Sequence, residues 1–273
     1  MDPDEHPAFR TARDPFQFVA DFQGMPATVP AMKISIVVPA FNEEKLLPRM
    51  LASLGAARGA FTERGWDSEV IVCDNNSTDR TAAIAREHGA AVVFEPVNQI
   101  GRARNSGAAA ATGDWILFLD ADSVPTRDLL AEAAERVARG DVVFVGACVE
   151  MDGELRGVAR LLLRGWNLLS RTFRWMAGSF VMVEMAAFRE IGGFSGQLYA
   201  GEELDLSQRL KALARRRGRT VDILRRHSLR SSARRLTFSR RREILRFVLR
   251  AVIRPRATQS SREACAMWYD GRR

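Results

Sequence analysis

Cysteine is scarce in this chain, with three in 273 residues. Cys73, Cys148 and Cys265 are too few and too scattered for a disulfide framework or a zinc site, which indicates a reducing compartment. Long apolar runs are also missing, since none approaches the roughly 20 residues needed to span a bilayer. The N-terminus is too polar for a signal peptide. We therefore expect a cytoplasmic protein.

Acidic residues are few between residues 206 and 256, which hold a dense series of arginines. Residues 1–32, in contrast, hold two arginines and five acids, in a chain whose formal net charge is +8. This asymmetry indicates a polyanionic partner, which could be a nucleotide, a phospholipid surface or a nucleic acid. No nucleic-acid recognition motif accompanies the charge, so we expect no nucleic-acid partner.

Strand and helix patterns alternate from Lys33 onward. Residues 1–32 contain five prolines and no sustained periodicity, as in an extended or partly disordered arm. Strands are predicted at residues 34–38, 69–73, 91–94 and 115–119. Helices are predicted between them, at about residues 42–54, 77–87 and 101–111. The alternation predicts an α/β fold with βαβ units and parallel strands.

A less regular half follows. Helices are predicted at about residues 126–138, 154–176 and 204–214. Strands are predicted at residues 141–149, 178–184 and 220–224. We expect one domain over residues 33–238, then a basic amphipathic helix and a tail over residues 239–273.

The fourth predicted strand ends in two carboxylates. Trp115 to Leu119 form an apolar run typical of a strand buried on both faces, and Asp120-Ala121-Asp122 follows directly. In open α/β sheets, ligands bind at the carboxyl ends of the strands. Two acids there suit a divalent cation and the phosphates that it carries, although an isolated pair more often caps the next helix.

Two other polar turns are expected at the same edge of the sheet. Pro39-Ala40-Phe41-Asn42-Glu43 follows the first strand, and Asp74 to Asp79 follow the second. Because parallel strands place their carboxyl ends on one side, these turns can meet Asp120 and Asp122 around one ligand.

In combination and order, these motifs resemble the family 2 glycosyltransferases, which have the GT-A fold. This is a Rossmann-like nucleotide-binding sandwich with a mostly parallel central sheet, flanking helices and an elaborated C-terminal half. The resemblance runs from about Ile34 to Arg235. It rests on Val37 to Glu43, Asp74 to Asp79, Asn98-x-x-Gly101-x-Ala103-Arg104-Asn105, Asp120-Ala121-Asp122, Gly192-Gly193-Phe194 and Gly201-Glu202-Glu203-Leu204-Asp205.

The resemblance implies an inverting, metal-dependent enzyme. It would move a sugar from a nucleoside diphosphate, with UDP favoured, to a hydroxyl acceptor on a small molecule, a glycan or a lipid. Residues 33–123 would form the nucleotide-binding half of the domain, and residues 124–238 the acceptor half. The residues implied to bind the sugar donor are Pro39, Ala40, Asn42, Glu43, Asp74, Arg104, Asp120, Ala121, Asp122 and Gly178.

The resemblance also implies individual roles. Asp74 would bind the nucleobase or ribose, Asp122 would ligate Mn²⁺ or Mg²⁺, and Asp120 would hold the ribose or a metal-bound water. His227 lies where some members supply a further metal ligand. Asn75 and Asn76 stand where the family usually has Asp and Gly, which leaves the nucleobase preference open.

The catalytic base is expected in the Glu202-Glu203 pair. We assign it to Glu203, where the family usually has Asp. Glu is one methylene longer, so Glu202 remains the alternative. A helix N-terminus stabilises an ionised carboxylate and weakens it as a base, an effect that burial can offset.

Alternatives and accessory segments remain open. A nucleotidyltransferase would carry a Gly-rich phosphate loop with a Lys after the first strand, and Pro39 to Glu44 do not form one. A non-catalytic module could instead be held on an anionic membrane by the basic helix at residues 240–253, peripherally at its inner face. That helix could equally pack on the domain or form a homodimer. Trp166 and Trp175 could line an acceptor groove or belong to the core.

Overall fold

The computed structural model describes residues 31–153, 157–232, 250, 254–266 and 269. All of these described residues lie in one compact unit. Most of the expected arm at residues 1–32 and of the basic helix at residues 240–253 falls outside them. Within these ranges, every helix is too short or too polar to cross a membrane.

The described residues form eight strands and nine helices. The strands are β1 (Lys33–Ala40), β2 (Asp67–Asp74), β3 (Ala91–Phe94), β4 (Trp115–Leu119), β5 (Ser123–Val124), β6 (Val142–Asp152), β7 (Phe180–Glu184) and β8 (Thr220–Ser232). The helices are α1 (Leu47–Ala57), α2 (Gly59–Thr62), α3 (Thr81–Glu87), α4 (Ile100–Ala110), α5 (Arg127–Ala138), α6 (Val158–Phe173), α7 (Met185–Glu190), α8 (Glu202–Arg216) and α9 (Pro255–Gln259).

The strands form one sheet in the order β3-β2-β1-β4-β7-β6-β8-β5. The expected α/β fold is confirmed, and β1 to β4 pair in parallel as predicted. The second half of the sheet is mixed. β7 runs antiparallel to both of its neighbours, β4 and β6, and β5 runs antiparallel to β8.

The centre of the sheet is buried on both faces, which explains its continuous apolar runs. Along β1, Ile34, Ile36 and Val38 pack on one face with α1 and α5, and Val37 packs on the other. β4 follows the same alternation and is fully buried. Both strands therefore deliver their carboxyl ends from a rigid core.

Several boundaries differ from the predicted ones for local reasons. α1 begins at Leu47 rather than near Asn42, because Asn42 has a positive φ of 53° and cannot begin a right-handed helix. Thr126 caps α5 as expected, accepting a hydrogen bond from the Leu129 N–H at 3.2 Å. β8 continues to Ser232 instead of ending near Leu224.

Candidate active site

A cavity of about 350 Å³ lies at the carboxyl ends of β1 and β4. Strand ends and the turns after them supply one part of its wall, helices α4 and α8 supply another, and α6 supplies a third. The lining includes Pro39, Ala40, Glu43, Asn75, Arg104, Asp120, Ala121, Asp122, Leu163, Trp166, Gly178, Tyr199, Glu202, Glu203, Ser231 and Tyr269. Most of the residues predicted to bind the sugar donor are thus brought together.

Arg104 is buried in the wall of this cavity and joins its two acidic sides. Its Nη1 donates to Glu202 Oε1 at 2.8 Å, and its Nη2 donates to Asp120 Oδ1 at 3.0 Å. Nη2 also donates to the Gly178 carbonyl at 2.9 Å. Burial alone would lower the pKa of Arg104, but the charges of Asp120 and Glu202 outweigh it and raise the pKa. Arg104 therefore stays charged and ties α4, β4 and α8 together.

Asn105 and Phe194 hold the arginine in place. The Asn105 side chain donates to the Phe194 carbonyl and accepts from the Phe194 N–H, both at 2.9 Å. The Phe194 ring lies 5.1 Å from the Arg104 guanidinium, a cation–π contact. Gly193 has a φ of 69°, and a Cβ there would lie 2.6 Å from the Asn105 amide oxygen. Only glycine fits this turn, which explains the Gly192-Gly193-Phe194 motif.

Asp122 is the third residue after β4 and is the acid best suited to a metal. It is buried in the lining, with the Ser231 hydroxyl 3.5 Å from its Oδ1. Among the described residues, no group of three His, Cys, Asp or Glu side chains converges to hold an ion. A cation here would therefore take one carboxylate from the protein and other oxygens from a diphosphate and water. Magnesium in nucleotide sites is commonly held in this way, so the residues fit.

His227 is not among the residues that line the cavity. Its N–H donates to Glu132 Oε2 at 2.9 Å, and its ring Nδ1 lies 3.0 Å from the same atom. Glu132, on α5, also accepts the N–H groups of Arg225 and Arg226 at 3.2 Å. An irregularity in the β6–β8 pairing turns this segment toward α5. The structure therefore gives no support to the expected metal-binding role of His227.

Asn42 and Asp74 shape the turns but do not line the cavity. Asn42 Oδ1 accepts the Thr78 N–H at 2.8 Å, and Asp74 Oδ1 accepts the Ser77 N–H at 3.1 Å. Asn75 lines the cavity instead, with its amide donating to the Val97 carbonyl at 2.6 Å. Direct contact of Asn42 and Asp74 with a nucleotide stays a prediction.

Glu202 and Glu203 occupy the first turn of α8, which begins earlier than predicted. Glu202 is 4% exposed and receives the Arg104 hydrogen bond, whereas Glu203 is half-buried and faces the cavity. Burial and then the negative charge of Glu202 raise the pKa of Glu203 well above its ordinary value, although Arg104 counteracts them in part. These effects outweigh the helix N-terminus, so Glu203 accepts a proton more readily than an ordinary glutamate does.

Aromatic residues also line the cavity, and two of them, Tyr199 and Tyr269, belong to no motif that the sequence marked. The Tyr269 hydroxyl donates to the Tyr199 carbonyl at 2.9 Å, and the two rings meet edge to face. Phe41 also lines the cavity. Trp166 lines the cavity as well, which agrees with the first of the two positions considered for it, a groove or the core. Trp175 is absent from the lining and stacks on Phe173.

This chain is similar in sequence to known glycosyltransferases. An uncharacterized glycosyltransferase of Mycobacterium tuberculosis is 40% identical over 111 residues, which are 40% of this chain and 46% of that protein. The chain thus spans less than half the length of this curated relative.

Two solved structures share the fold. Residues 1–349 of TarS from Staphylococcus aureus, in complex with UDP-GlcNAc, match with a TM-score of 0.62 and 19% identity over 86% of this chain and 69% of that one. A mannosyltransferase from Pyrobaculum calidifontis, in complex with GDP-Man and Mn²⁺, matches with a TM-score of 0.62 and 18% identity over 92% and 70%.

The sequence profile described as glycosyl transferase family 2 matches residues 35–191. That match covers more than half of the chain and includes all but the first two residues of β1, all of β2 to β4, Arg104 and the Asp120–Asp122 turn. Together with the shared fold, it shows that this chain belongs to glycosyl transferase family 2.

Proposed function

We propose that this protein transfers a sugar from a nucleoside diphosphate donor to a hydroxyl acceptor, with inversion and with Mn²⁺ or Mg²⁺ as cofactor. One observation carries the proposal: Asp122 and Glu203 face the same cavity, and the pKa of Glu203 is raised. A carboxylate suited to a metal and a carboxylate suited to accept a proton are the two groups that such a transfer needs.

The nucleoside end of the sugar donor would lie against the turn after β1. Pro39, Ala40 and Glu43 line the cavity there, with Asn75 beside them. The structures with UDP-GlcNAc and GDP-Man support a nucleotide sugar as donor in this fold. We propose a UDP-linked sugar as the donor, and the assay below compares UDP-sugars with GDP-sugars.

Charge balance in the cavity favours a metal. Among the described residues that line it, Arg104 alone is basic, and its charge is already matched by Asp120 and Glu202. The diphosphate of a sugar donor would bring further negative charge against these acids. Mn²⁺ or Mg²⁺ held by Asp122 would supply positive charge beside the diphosphate and stabilise it as it departs.

Glu203 would act as the base. It takes the proton from the acceptor hydroxyl as that oxygen bonds to the anomeric carbon, and the bond from this carbon to the diphosphate oxygen breaks. A single displacement of this kind inverts the anomeric centre. Glu202 is less suited, because one of its oxygens already accepts a hydrogen bond from the buried Arg104 guanidinium.

The test is turnover with a panel of UDP- and GDP-sugars plus Mn²⁺, scored for the nucleotide released. Sugar transfer or donor hydrolysis releases a nucleoside diphosphate, whereas transfer of the nucleotidyl group from the same donors would release a sugar 1-phosphate. Asp122→Asn should lower turnover at least about a hundredfold and weaken Mn²⁺-dependent UDP binding.

Asp128→Asn is the matched control, because Asp128 is an exposed acid in the first turn of α5. It should behave as wild type. Absence of turnover with every donor, together with unchanged UDP binding in Asp122→Asn, would reject the proposal. NMR of the product anomer tests inversion separately.

A further inference from the structure

Helix α6 exposes large apolar side chains beside the cavity. Leu161, Leu162 and Leu168 are 70%, 68% and 65% exposed, and Leu169 and Phe173 are also exposed. Elsewhere in the described chain, the only other large hydrophobic residues this exposed are Phe94 and Val97. One helix therefore carries most of the exposed apolar surface, and scattered chance exposure does not explain that concentration.

The helix has three distinct faces. Leu163 and Trp166 line the cavity, and Ser170 is buried beside them, with its hydroxyl donating to the Trp175 carbonyl at 2.6 Å. Spacings of four and seven residues place Arg160, Arg164 and Arg171 on a second face. The same spacings place the exposed apolar residues on the third. An apolar face flanked by arginines is the pattern of a helix that lies in a membrane interface.

The charge around the exposed apolar face of α6 indicates which kind of partner can bind there. Residues 157–176 contain four arginines besides the apolar residues and no Asp or Glu. A second copy of this chain would bring its own arginines against them, and so would the basic segment at residues 240–253. Both contacts would be repulsive. An anionic lipid surface satisfies the apolar face and the arginines together.

We propose that α6 docks this protein on an anionic bilayer, with its exposed leucines in the acyl boundary and its arginines among the headgroups. The proposal rests on the proposed function in one respect. Since Leu163 and Trp166 of the same helix line the cavity, docking places that wall at the lipid surface, where a lipid-linked hydroxyl acceptor would be found.

The test is sedimentation of the full chain with vesicles of phosphatidylcholine alone and of phosphatidylcholine mixed with phosphatidylglycerol. The wild-type protein should sediment with the anionic vesicles and be released by salt. Leu168→Ser with Leu169→Ser should weaken this binding about tenfold or more. Arg164→Glu should weaken binding to the anionic vesicles only. Phe94→Ser, which removes an equally exposed aromatic from β3, is the control and should bind as wild type.

The proposal would be overturned if wild-type protein stayed in the supernatant or bound equally to both vesicle types. Equal losses of vesicle binding in the leucine variant and in the Phe94 control would also overturn it. So would a dimer on size exclusion that the leucine substitutions dissociate without an effect on vesicle binding. Mn²⁺-dependent UDP binding, measured on the same preparations, reports on the proposed function separately. It should be unchanged in the leucine variant, so failure of docking and failure of the site give different results.

Discussion

Arg104 Nη1 donates a hydrogen bond to Glu202 Oε1 at 2.8 Å, between residues 98 positions apart in the chain. The side chain of Arg104 is 2% exposed and that of Glu202 is 6% exposed, so the ion pair is almost fully removed from water. The same guanidinium binds Asp120, which follows β4. A single buried cation therefore balances two acids from different halves of the domain.

Arg104→Met should destabilise the protein strongly. It leaves Asp120 and Glu202 as buried carboxylates without their cation, and breaking a buried pair in this way costs about 3–5 kcal/mol. Denaturant unfolding measures the loss. Arg102→Met, two residues earlier on α4, removes a half-exposed arginine that pairs with Glu95. Since Glu95 keeps its hydrogen bonds from the Ser106 hydroxyl and the Val97 N–H, this change should cost about 1 kcal/mol or less.

Adding Glu202→Gln to Arg104→Met should recover part of the lost free energy of unfolding. The second substitution removes one of the two uncompensated charges, so the two effects should not add. A double-mutant cycle gives the coupling. Strict additivity would mean that Arg104 contributes by packing alone and not through this ion pair.

Glu203→Gln should lower the transfer rate by about 10²–10⁴-fold while UDP binding stays intact. The amide keeps the shape of the side chain but cannot accept the proton. Asp205→Asn, in the same helical turn and paired with Arg209, is the control and should remain active. Activity retained in Glu203→Gln would move the role of base to Glu202 or to another group.

The free energy of unfolding should decrease as the pH rises, because of Glu203. Its pKa is raised in the folded protein above the ordinary 4.5, so the folded state binds the proton more tightly than the unfolded state does. Protonated Glu203 therefore stabilises the folded protein. This stabilisation is complete at pH values below the pKa of Glu203 in the unfolded chain, and it is lost as the pH rises through the pKa of Glu203 in the folded protein. The Tm of Glu203→Gln should therefore exceed that of wild type increasingly as the pH rises from about 5 to about 8. A constant difference across this range would contradict the raised pKa.

Gly178→Ala should impair the site without unfolding the protein. The added Cβ would lie 3.2 Å from Arg104 Nη2 and 3.6 Å from Glu203 Cδ. Three hydrogen bonds hold Arg104 in place, so the crowding from the added Cβ should displace the carboxylates around it. Since these include the proposed base, kcat/KM should fall about tenfold to a hundredfold. Gly165→Ala, on α6 with no atom within 4 Å of its added Cβ, should leave kcat/KM unchanged.

The sequence was sufficient to predict the first half of the sheet and the position of Asp122. Those predictions used strong local signals, namely apolar runs ended by polar turns, and the parallel pairing of β1 with β2 and β4 followed from the alternation with helices. A buried strand such as β4 can be predicted from its sequence alone, because every residue in it is apolar.

The role of Arg104 could not be predicted in the same way. A lone arginine on a helix usually belongs to a solvated face, and nothing local reveals that Asp120 and Glu202 converge on it. His227 is a second example. The family resemblance implies a metal ligand there, and that role stays a prediction. β8 continues past this residue, and Glu132 of α5, far away in sequence, accepts its N–H hydrogen bond. Long-range contacts decided both cases.

The buried Arg104 limits how this protein could be recombined with its relatives. The family match ends at residue 191, before Glu202, so a chimera joined there would inherit its arginine from one parent and its glutamate pair from the other. If the second parent lacked an acid at the position of Glu202, the guanidinium would lose one of its two balancing charges. We expect functional chimeras only where both parents carry this pair, so the junction has to be chosen by charge as well as by sequence identity.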